Sequence, residues 1–580
     1  MKQFMTAFSI LFLCAATVFS KAYIRYNYIG YNPSREKRIV VMAEEGIDGT
    51  QWTLRDNETG EEVLSGNIGA SVYERGDHLP FDYNYVFDIT ELREVGEYTL
   101  SLAGDIAEPA NIVIHQDPYG DLISKPLRWL REARCGSDAV EDREICHLGD
   151  KKAEVFRRAD PHDNGSWGPL DEPKYFDGHG GWHDAGDYLK FSLTCAYTTY
   201  YILRAYDINP SIFDTLYNND DGQNELNDLL DEAQWGLDFL MRTMPDTNEF
   251  MIMIGHNEDH HVGYRLPQDD HLDGERPFLS ALSIPQMGYT AAALALGATI
   301  FEELGREEQA QEYFEKAQLI YRRALSDDAE ATAWLDDDAN PFYRDDTNFD
   351  NLQLAAGELY RFSGDPSYLE DAQEFADLAR GAGWKAWTAV NMTAHMNIMD
   401  DYPVAQNYLY LDLDQFLDNS RAAGNIWGIP MRYVWAGLYS YIGVGATAAE
   451  YELLTGNTGY HSLARNMTDY LLGYNNWGIC FIAIEDMENT ITEPNSQIYM
   501  LQADKFPEGA IAEGPGDRES WEYYSTYFGF DMHAEWTHKF NTEAGVFYDN
   551  RKDFMCMETT VVGMSDGIYL LAVASKLFNN

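Results

Sequence analysis

Two stretches of this 580-residue sequence combine carboxylates with the neighbours that acid–base chemistry needs. The first is Gly180-Gly-Trp-His-Asp-Ala-Gly-Asp-Tyr188, with Asp184 and Asp187 three positions apart among glycines and aromatics. Glycine lets a backbone approach a ligand closely. Neighbouring carboxylates raise one another's pKa, and such a pair can hold and deprotonate a water. A capped turn or a calcium loop would use the same residue types. The second stretch is Phe547-Tyr-Asp-Asn-Arg-Lys-Asp-Phe-Met-Cys-Met-Glu558, which runs into an apolar segment ending near Phe578. A glutamate entering an apolar helix beside Cys556 and Met557 is desolvated. Desolvation favours the protonated form, as a general acid for an ether-type leaving group requires. A helix-start glutamate stabilised by the macrodipole is the simpler alternative.

A third set is Cys135, Cys146, His147 and His183. Thiolate and imidazole donors in this mixture suit tetrahedral zinc. Four protein ligands leave no open position, so such a zinc would be structural. It would tie the 135–147 region to the stretch that carries Asp184. A Cys135–Cys146 disulfide with a core His183 is the alternative. Asp220-Asp-Gly-Gln-Asn-Glu225 reads as a calcium loop or a solvated helix start, and His256-Asn-Glu-Asp-His-His261 as a cleft loop. No catalytic cofactor is expected.

These residues need a scaffold, and the sequence changes period once. From about Tyr23 to His115 short alternating runs recur, such as Arg38–Ala43, Tyr85–Ile89, Gly96–Leu102 and Asn111–His115. Turn residues at Asp56-Asn57 and Thr59-Gly60 separate them, and the pattern predicts a β-sandwich. After Asp117-Pro118 the period becomes helical. Leu226, Leu229, Leu230, Ala233, Leu237, Leu240, Met241 and Met244 follow i, i+3, i+4, i+7 spacing. Further helices are expected near 290–304, 307–325, 350–362, 367–380, 435–454, 459–473 and 565–578. Ser363-Gly-Asp-Pro-Ser-Tyr368 and Thr455-Gly-Asn-Thr-Gly-Tyr460 repeat one turn, with glycine to end a helix and Asp or Asn to start the next. Repeated helical hairpins imply a layered all-α toroid or a solenoid. Long loops rich in glycine, acids and aromatics are left to carry the chemistry.

Composition narrows the ligand. The sequence has 96 Asp+Glu against 41 Lys+Arg, a formal charge of −55. Phosphates would be repelled, so a nucleic-acid partner is excluded, and anionic polysaccharides and membranes are disfavoured. Neutral or cationic ligands are favoured. Residues 1–20 read as a signal peptide, with Lys2, an apolar run from Thr6 to Val18, and small residues before Lys21. The run is too short to span a bilayer, and no later segment is expected to span one. Export permits disulfides, but Cys135, Cys146, Cys195, Cys480 and Cys556 are too sparse to form a disulfide scaffold.

The Gly180–Tyr188 string, with the aromatic-x-Asp-x4-aromatic-x3-Glu spacing from Phe547 to Glu558, resembles glycoside hydrolase family 9. That is an inverting β-glucanase family with many cellulases. Tyr28-Ile-Gly-Tyr-Asn32 resembles the start of the immunoglobulin-like domain that precedes many of its catalytic barrels. The resemblance covers almost the whole chain. It implies a multidomain protein: signal peptide 1–20, all-β immunoglobulin-like sandwich 21–116, and all-α (α/α)6 barrel 117–580. It also implies Asp187 as general base, Asp184 as its partner on the same water, and Glu558 as general acid. Some family members carry a structural zinc with this Cys…Cys-His plus His arrangement. Trp167, Trp182, Trp427, Trp435 and Tyr524 are expected sugar platforms, since a flat ring matches the C–H face of a pyranose. Two departures stand out. Ile491-Thr-Glu-Pro-Asn-Ser-Gln-Ile498 lacks the His-x-Arg that usually contacts the sugar near the cleaved bond, and Met564 replaces an asparagine six residues after the acid. Both leave the preferred sugar open. The expectation is an exported, monomeric, inverting endo-β-1,4-glucanase acting on a polysaccharide or oligosaccharide. An exo-acting β-glycosidase on short oligosaccharides, glucosamine-containing ones among them, is the second reading. A non-catalytic carbohydrate-binding protein is the third, opposed by the three carboxylates.

Overall fold

The computed structural model describes residues 21–579 apart from 73–75, 138–139, 141–142, 159–166, 213–225, 256–258, 260–262, 271–275, 332–342, 344, 346 and 503. The signal peptide, the Asp220–Glu225 calcium reading and most of the His256–His261 loop fall outside the described residues.

Among the described residues seven strands form the N-terminal sandwich: β1 (Ala22–Arg25), β2 (Arg38–Ala43), β3 (Gln51–Asp56), β4 (Glu62–Asn67), β5 (Tyr83–Asp88), β6 (Gly96–Leu102) and β7 (Ala110–Ile114). They make two antiparallel sheets, ordered β1-β2-β5 and β4-β3-β6-β7. β6 alternates as the sequence predicts and buries Tyr98, Leu100 and Leu102. β2 instead is buried on both faces. Ile39, Val41 and Ala43 fill the sandwich core, while Val40 and Met42 join the core of the helical domain. One strand thus serves two cores through its period of two. Polar contacts fix the docking. Asn27 Nδ2 donates to Asp469 Oδ1 at 2.8 Å, and Arg35 pairs with Asp469 at 2.7 Å, both side chains buried. Tyr28 Oη donates to the Gly478 carbonyl at 2.9 Å. The Tyr28–Asn32 motif therefore lies at the junction between the domains.

Among the described residues fifteen helices follow: α1 (Ser124–Ala133), α2 (Ser192–Ile208), α3 (Asp228–Leu240), α4 (Ile284–Glu303), α5 (Glu307–Ala324), α6 (Phe349–Ser363), α7 (Pro366–Ala379), α8 (Asn391–Ile398), α9 (Pro403–Ser420), α10 (Gly437–Thr455), α11 (His461–Leu471), α12 (Gln497–Leu501), α13 (Arg518–Phe528), α14 (Phe554–Met557) and α15 (Val561–Asn579). Helices α2, α4, α6, α8, α10 and α15 pack in a closed inner ring, each against the next, and α15 returns to α2. Helices α3, α5, α7, α9, α11 and α1 lie outside them. This is an (α/α)6 barrel. Inner helices are apolar on all sides because each has neighbours all round; α4 is buried without a break from Pro285 to Phe301. For that reason α4 and α15 have the length and apolarity of a membrane span, contrary to expectation, yet 94% and 89% of their apolar windows are buried inside the barrel. Outer helices are amphipathic, as in α5.

The repeated turn works as its residues predict. Gly364 and Gly456 end α6 and α10 at φ of 67° and 70°, and Asp365 and Asn457 accept from the N–H groups of Ser367 and Gly459. Strands β8 (Ala153–Arg158), β9 (Trp167–Pro169), β10 (Tyr175–Phe176), β11 (Lys190–Phe191), β12 (Met251–Ile254) and β13 (Phe278–Ser280) join in a mixed sheet. This sheet anchors the chain immediately after Tyr188.

Candidate active site

The Gly180–Tyr188 stretch folds as a tight loop leading into β11 and α2. Gly180 and Gly181 adopt φ of 86° and 68°, where a side chain is strained. A Cβ on Gly181 would also stand 2.9 Å from the Phe239 ring. The loop is stitched by its backbone: His183 N–H donates to the Ala133 carbonyl, Asp184 N–H to that of Leu189, and Val561 N–H to that of Asp184. Asp184 and Asp187 are both buried. The Asp184 carboxylate accepts from the hydroxyls of Thr194 and Tyr343. Burial first, and Asp187 second, push its pKa up to about 7. Asp187 accepts from the Leu189 N–H at 2.9 Å, so the loop folds back on its own second carboxylate.

Glu558 follows α14 and precedes α15, in extended backbone. Its Oε1 accepts from the Gly186 N–H at 3.3 Å, which brings the two distant stretches face to face. The segment lacking His-x-Arg sits at the same junction. Asn495 bridges to Glu558, Gln497 N–H donates to the Gly186 carbonyl at 2.9 Å, and a Cβ on Gly186 would stand 2.8 Å from the Asn495 carbonyl. Only glycine fits between this loop and Glu558. Asp184, Asp187 and Glu558 line one cavity of about 500 Å³ with Tyr343, Trp384, Trp387, Trp435 and Glu513.

The aromatic expectations divide. Trp435 is 37% exposed in the cavity wall, with Tyr524 edge-on at 5.1 Å behind it. Trp182 and Trp427 are fully buried and donate to Glu232 and Asn476, so neither presents a face to a ligand; they are core residues. Trp167 lies in β9 (Trp167–Pro169), under the Arg158 guanidinium and away from the described cavity wall. Trp384 and Trp387 were not singled out in the sequence, although Gly381-Ala-Gly-Trp-Lys-Ala-Trp387 carries the same glycine–aromatic signal as the base loop. Their rings are 6.3 Å apart, and Trp387 packs edge-on to Tyr343. Glu513 was also missed. It is a lone charge in Ala510-Ile-Ala-Glu-Gly-Pro515, and its carboxylate accepts from the Trp435 Nε1–H. Burial, and then Glu558, hold the Glu513 carboxyl well above the usual range. Tyr343 had no sequence signal at all.

Cys135, Cys146, His147 and His183 converge, with their donor atoms all within 4.8 Å of one another. Both cysteines are free thiols rather than a disulfide. A tetrahedral zinc sets N···N edges of about 3.3 Å and S···N edges of about 3.6 Å. His147 Nδ1 and His183 Nε2 are 3.2 Å apart. Cys135 Sγ lies 3.5 Å from His147 Nδ1, and Cys146 Sγ lies 3.7 Å from His183 Nε2. The donor set fits zinc. Behind it, Asp270 Oδ2 is 2.9 Å from His147 Nε2, the carboxylate that a ligating histidine normally has. The loop partner of Asp184, His183, is thereby tied to the 135–147 region.

Comparison with known proteins agrees with this architecture. The family described as Glycosyl hydrolase family 9 matches residues 119–571, and Cellulase N-terminal ig-like domain matches residues 20–106. Endoglucanase C of Cellulomonas fimi is 25% identical over 547 residues, 85% of this chain; the chain spans about half (47%) of that relative. A cellodextrinase of Butyrivibrio fibrisolvens is 25% identical over 79% of this chain and 83% of its own length. Among solved structures, AaCel9A in complex with cellobiose-like isofagomine superposes with a TM-score of 0.76 at 21% identity, over 96% of this chain and all of that one. A Zn-binding triple mutant of the family 9 endoglucanase J30 gives 0.75 at 20% identity, over 94% of this chain and all of its own. At such identities the structures establish the fold.

Proposed function

Since the chain belongs to glycosyl hydrolase family 9, we propose that it is an exported hydrolase of β-1,4-glucan that acts by inversion. One observation carries the reading: three carboxylates from two distant stretches share a tryptophan-walled cavity. In the proposed step, Asp187 and Asp184 both accept from one water. Its oxygen attacks the anomeric carbon, and its proton passes to Asp187. The glycosidic C–O bond breaks on the opposite face, and Glu558 gives its proton to the leaving oxygen. Trp435, Trp384 and Trp387 offer flat faces to the neighbouring sugars. Cleavage within long chains is the expected mode, supported by relatives named endoglucanase. The zinc would hold the 135–147 region and His183 and take no part in the step.

Hydrolysis of soluble β-1,4-glucan by the wild type and by Glu558→Ala tests this. Removing the general acid is expected to lower kcat about 10²- to 10⁴-fold while the fold stays intact. Proton NMR of the first product should show the inverted anomer, and viscosity should fall faster than reducing ends accumulate. Full activity in Glu558→Ala, or retained configuration, would sink the assignment.

Glu513 favours a second reading. It is a fourth carboxyl group in a cavity where no Lys, Arg or His lines the described wall, and a cationic amino sugar bound beside it would offset the burial that keeps it protonated and draw it into an ion pair. Glu513→Gln should then lose activity on chitosan oligomers and keep it on glucan. Equal effects on both substrates would return the site to a neutral sugar.

A further inference from the structure

Arg265 holds a position that the proposed step does not use but that joins everything the step needs. Its side chain is 12% exposed, and each guanidinium nitrogen has a partner. Nε donates to Asp270 Oδ1 at 2.7 Å, Nη2 pairs with the Asp259 carboxylate, and Nη1 donates to Gln497 Oε1 at 3.2 Å. The Arg265 backbone N–H also donates to Gln497 Oε1, at 3.3 Å. The guanidinium carbon sits 5.4 Å from the centre of the Tyr188 ring, and the Tyr188 hydroxyl donates to the Arg265 carbonyl.

Each of these partners leads to a different part of the site. Asp259, gripped by Arg265, accepts from the Tyr188 N–H at 2.9 Å, one residue from Asp187. Gln497 passes its own N–H to the Gly186 carbonyl, and Gly186 donates to Glu558. Asp270 stands behind His147. A planar five-donor fork can hold three separate segments in fixed directions, and lysine cannot. The Ile491–Ile498 segment has no arginine of its own, yet Arg265 reaches it from another loop.

We propose that Arg265 is a positioning residue that fixes the base loop at Asp187 against the segment bearing Gln497, and so sets the spacing between base and acid. The proposal rests on the assignment of Asp187 and Glu558 above. A misplacement of about 1 Å at a reacting group costs on the order of 10²-fold in rate, so the effect belongs in kcat.

The experiment compares wild type, Arg265→Lys, Arg265→Ala and Asp187→Asn on soluble β-1,4-glucan. Folding is followed by circular dichroism and bound metal by elemental analysis. Arg265→Lys keeps a charge and most of the stem, so it guards against a simple failure to fold. Both Arg265 variants are expected to lose kcat about 10²-fold, with KM nearly unchanged and metal retained. Added guanidinium should restore part of the kcat of Arg265→Ala and none of that of Asp187→Asn. Wild-type kcat in either Arg265 variant overturns the proposal. So does a folded Arg265→Ala that guanidinium cannot rescue, because the arginine would then only support the loop. If Asp187→Asn keeps full activity, the catalytic assignment fails instead, whatever Arg265 does.

Discussion

At the scale of single residues, the site is a problem of proton placement. Asp184 titrates near pH 7 because it is buried and faces Asp187, and two hydroxyls restrain the rise by donating to its ionised form. Removing one of them removes part of that restraint. Tyr343→Phe should therefore raise the Asp184 pKa further. If Asp184 must be ionised to hold the water, the acid limb of the kcat/KM profile moves to higher pH, and activity at pH 6 falls more than activity at pH 8. A profile identical to the wild type would mean that Asp184 does not titrate in the working range. The carboxylates themselves were legible in the sequence because acids among glycines and aromatics are unusual. Tyr343 was not, since a tyrosine beyond any motif looks like the many others, and only the fold brings it within reach of Asp184. Trp182 misled for the opposite reason: it sits inside the motif, but it faces the core and donates to Glu232.

At the scale of elements, most outer helices and the sandwich strands were readable, whereas part of the inner ring and the outer helices α1 and α9 were not. Periodicity reveals an element with one wet face. Helix α2, Ser-Leu-Thr-Cys-Ala-Tyr-Thr-Thr-Tyr-Tyr, is buried on every side and rich in β-branched and aromatic residues, so it has no helical stripe to read. Helix α9 was hidden differently. Tyr408-Leu-Tyr-Leu-Asp-Leu-Asp414 alternates like a strand, while the buried set Ala405, Leu409, Leu413, Phe416 and Leu417 has helical spacing. The four donors of Cys135, Cys146, His147 and His183 come from segments that share no strand or helix, with His147 at a φ of 50°. Elemental analysis is expected to find about one zinc per chain. Cys146→Ser should lose it and lower the melting temperature, and a chelator should do the same to the wild type. Unchanged melting in both cases would leave the four donors as a core cluster only. Since His183 adjoins Asp184, metal loss should also reduce kcat.

At the scale of the whole molecule, buried carboxylates and the net charge of −55 act in one direction. Asp184 and Asp553 are pushed up to about 7, and Asp549 and Asp566 to about 6, in each case by burial before any other cause. The folded chain keeps protons on these groups that the unfolded chain, with its carboxyls near 3.8, has already released. Their contribution to stability is complete below about pH 4 and is lost as pH rises through 6 and 7. For Asp184 alone the loss is on the order of 4 kcal/mol. Asp150, Asp270 and Glu249 have the opposite sign. Hydrogen bonds and cationic partners hold their carboxyls below the usual range, with Arg276 and Lys190 at Asp150, hydrogen bonds from His147 and Arg265 at Asp270, and Arg157 and Lys174 at Glu249. Their contribution is complete above about pH 4 and fails in acid. The two sets together place maximum stability at about pH 4. Above it, each released proton adds to the repulsion among surplus acids, and salt should relieve that part because surface charges are screened within about 10 Å at 0.1 M. Melting temperature measured across pH is expected to peak on the acid side and to decline toward pH 8. Added sodium chloride should recover part of the decline at pH 8 and little at pH 5. A stability that rises from pH 5 to 8 at low salt would mean that the paired carboxylates outweigh the buried ones.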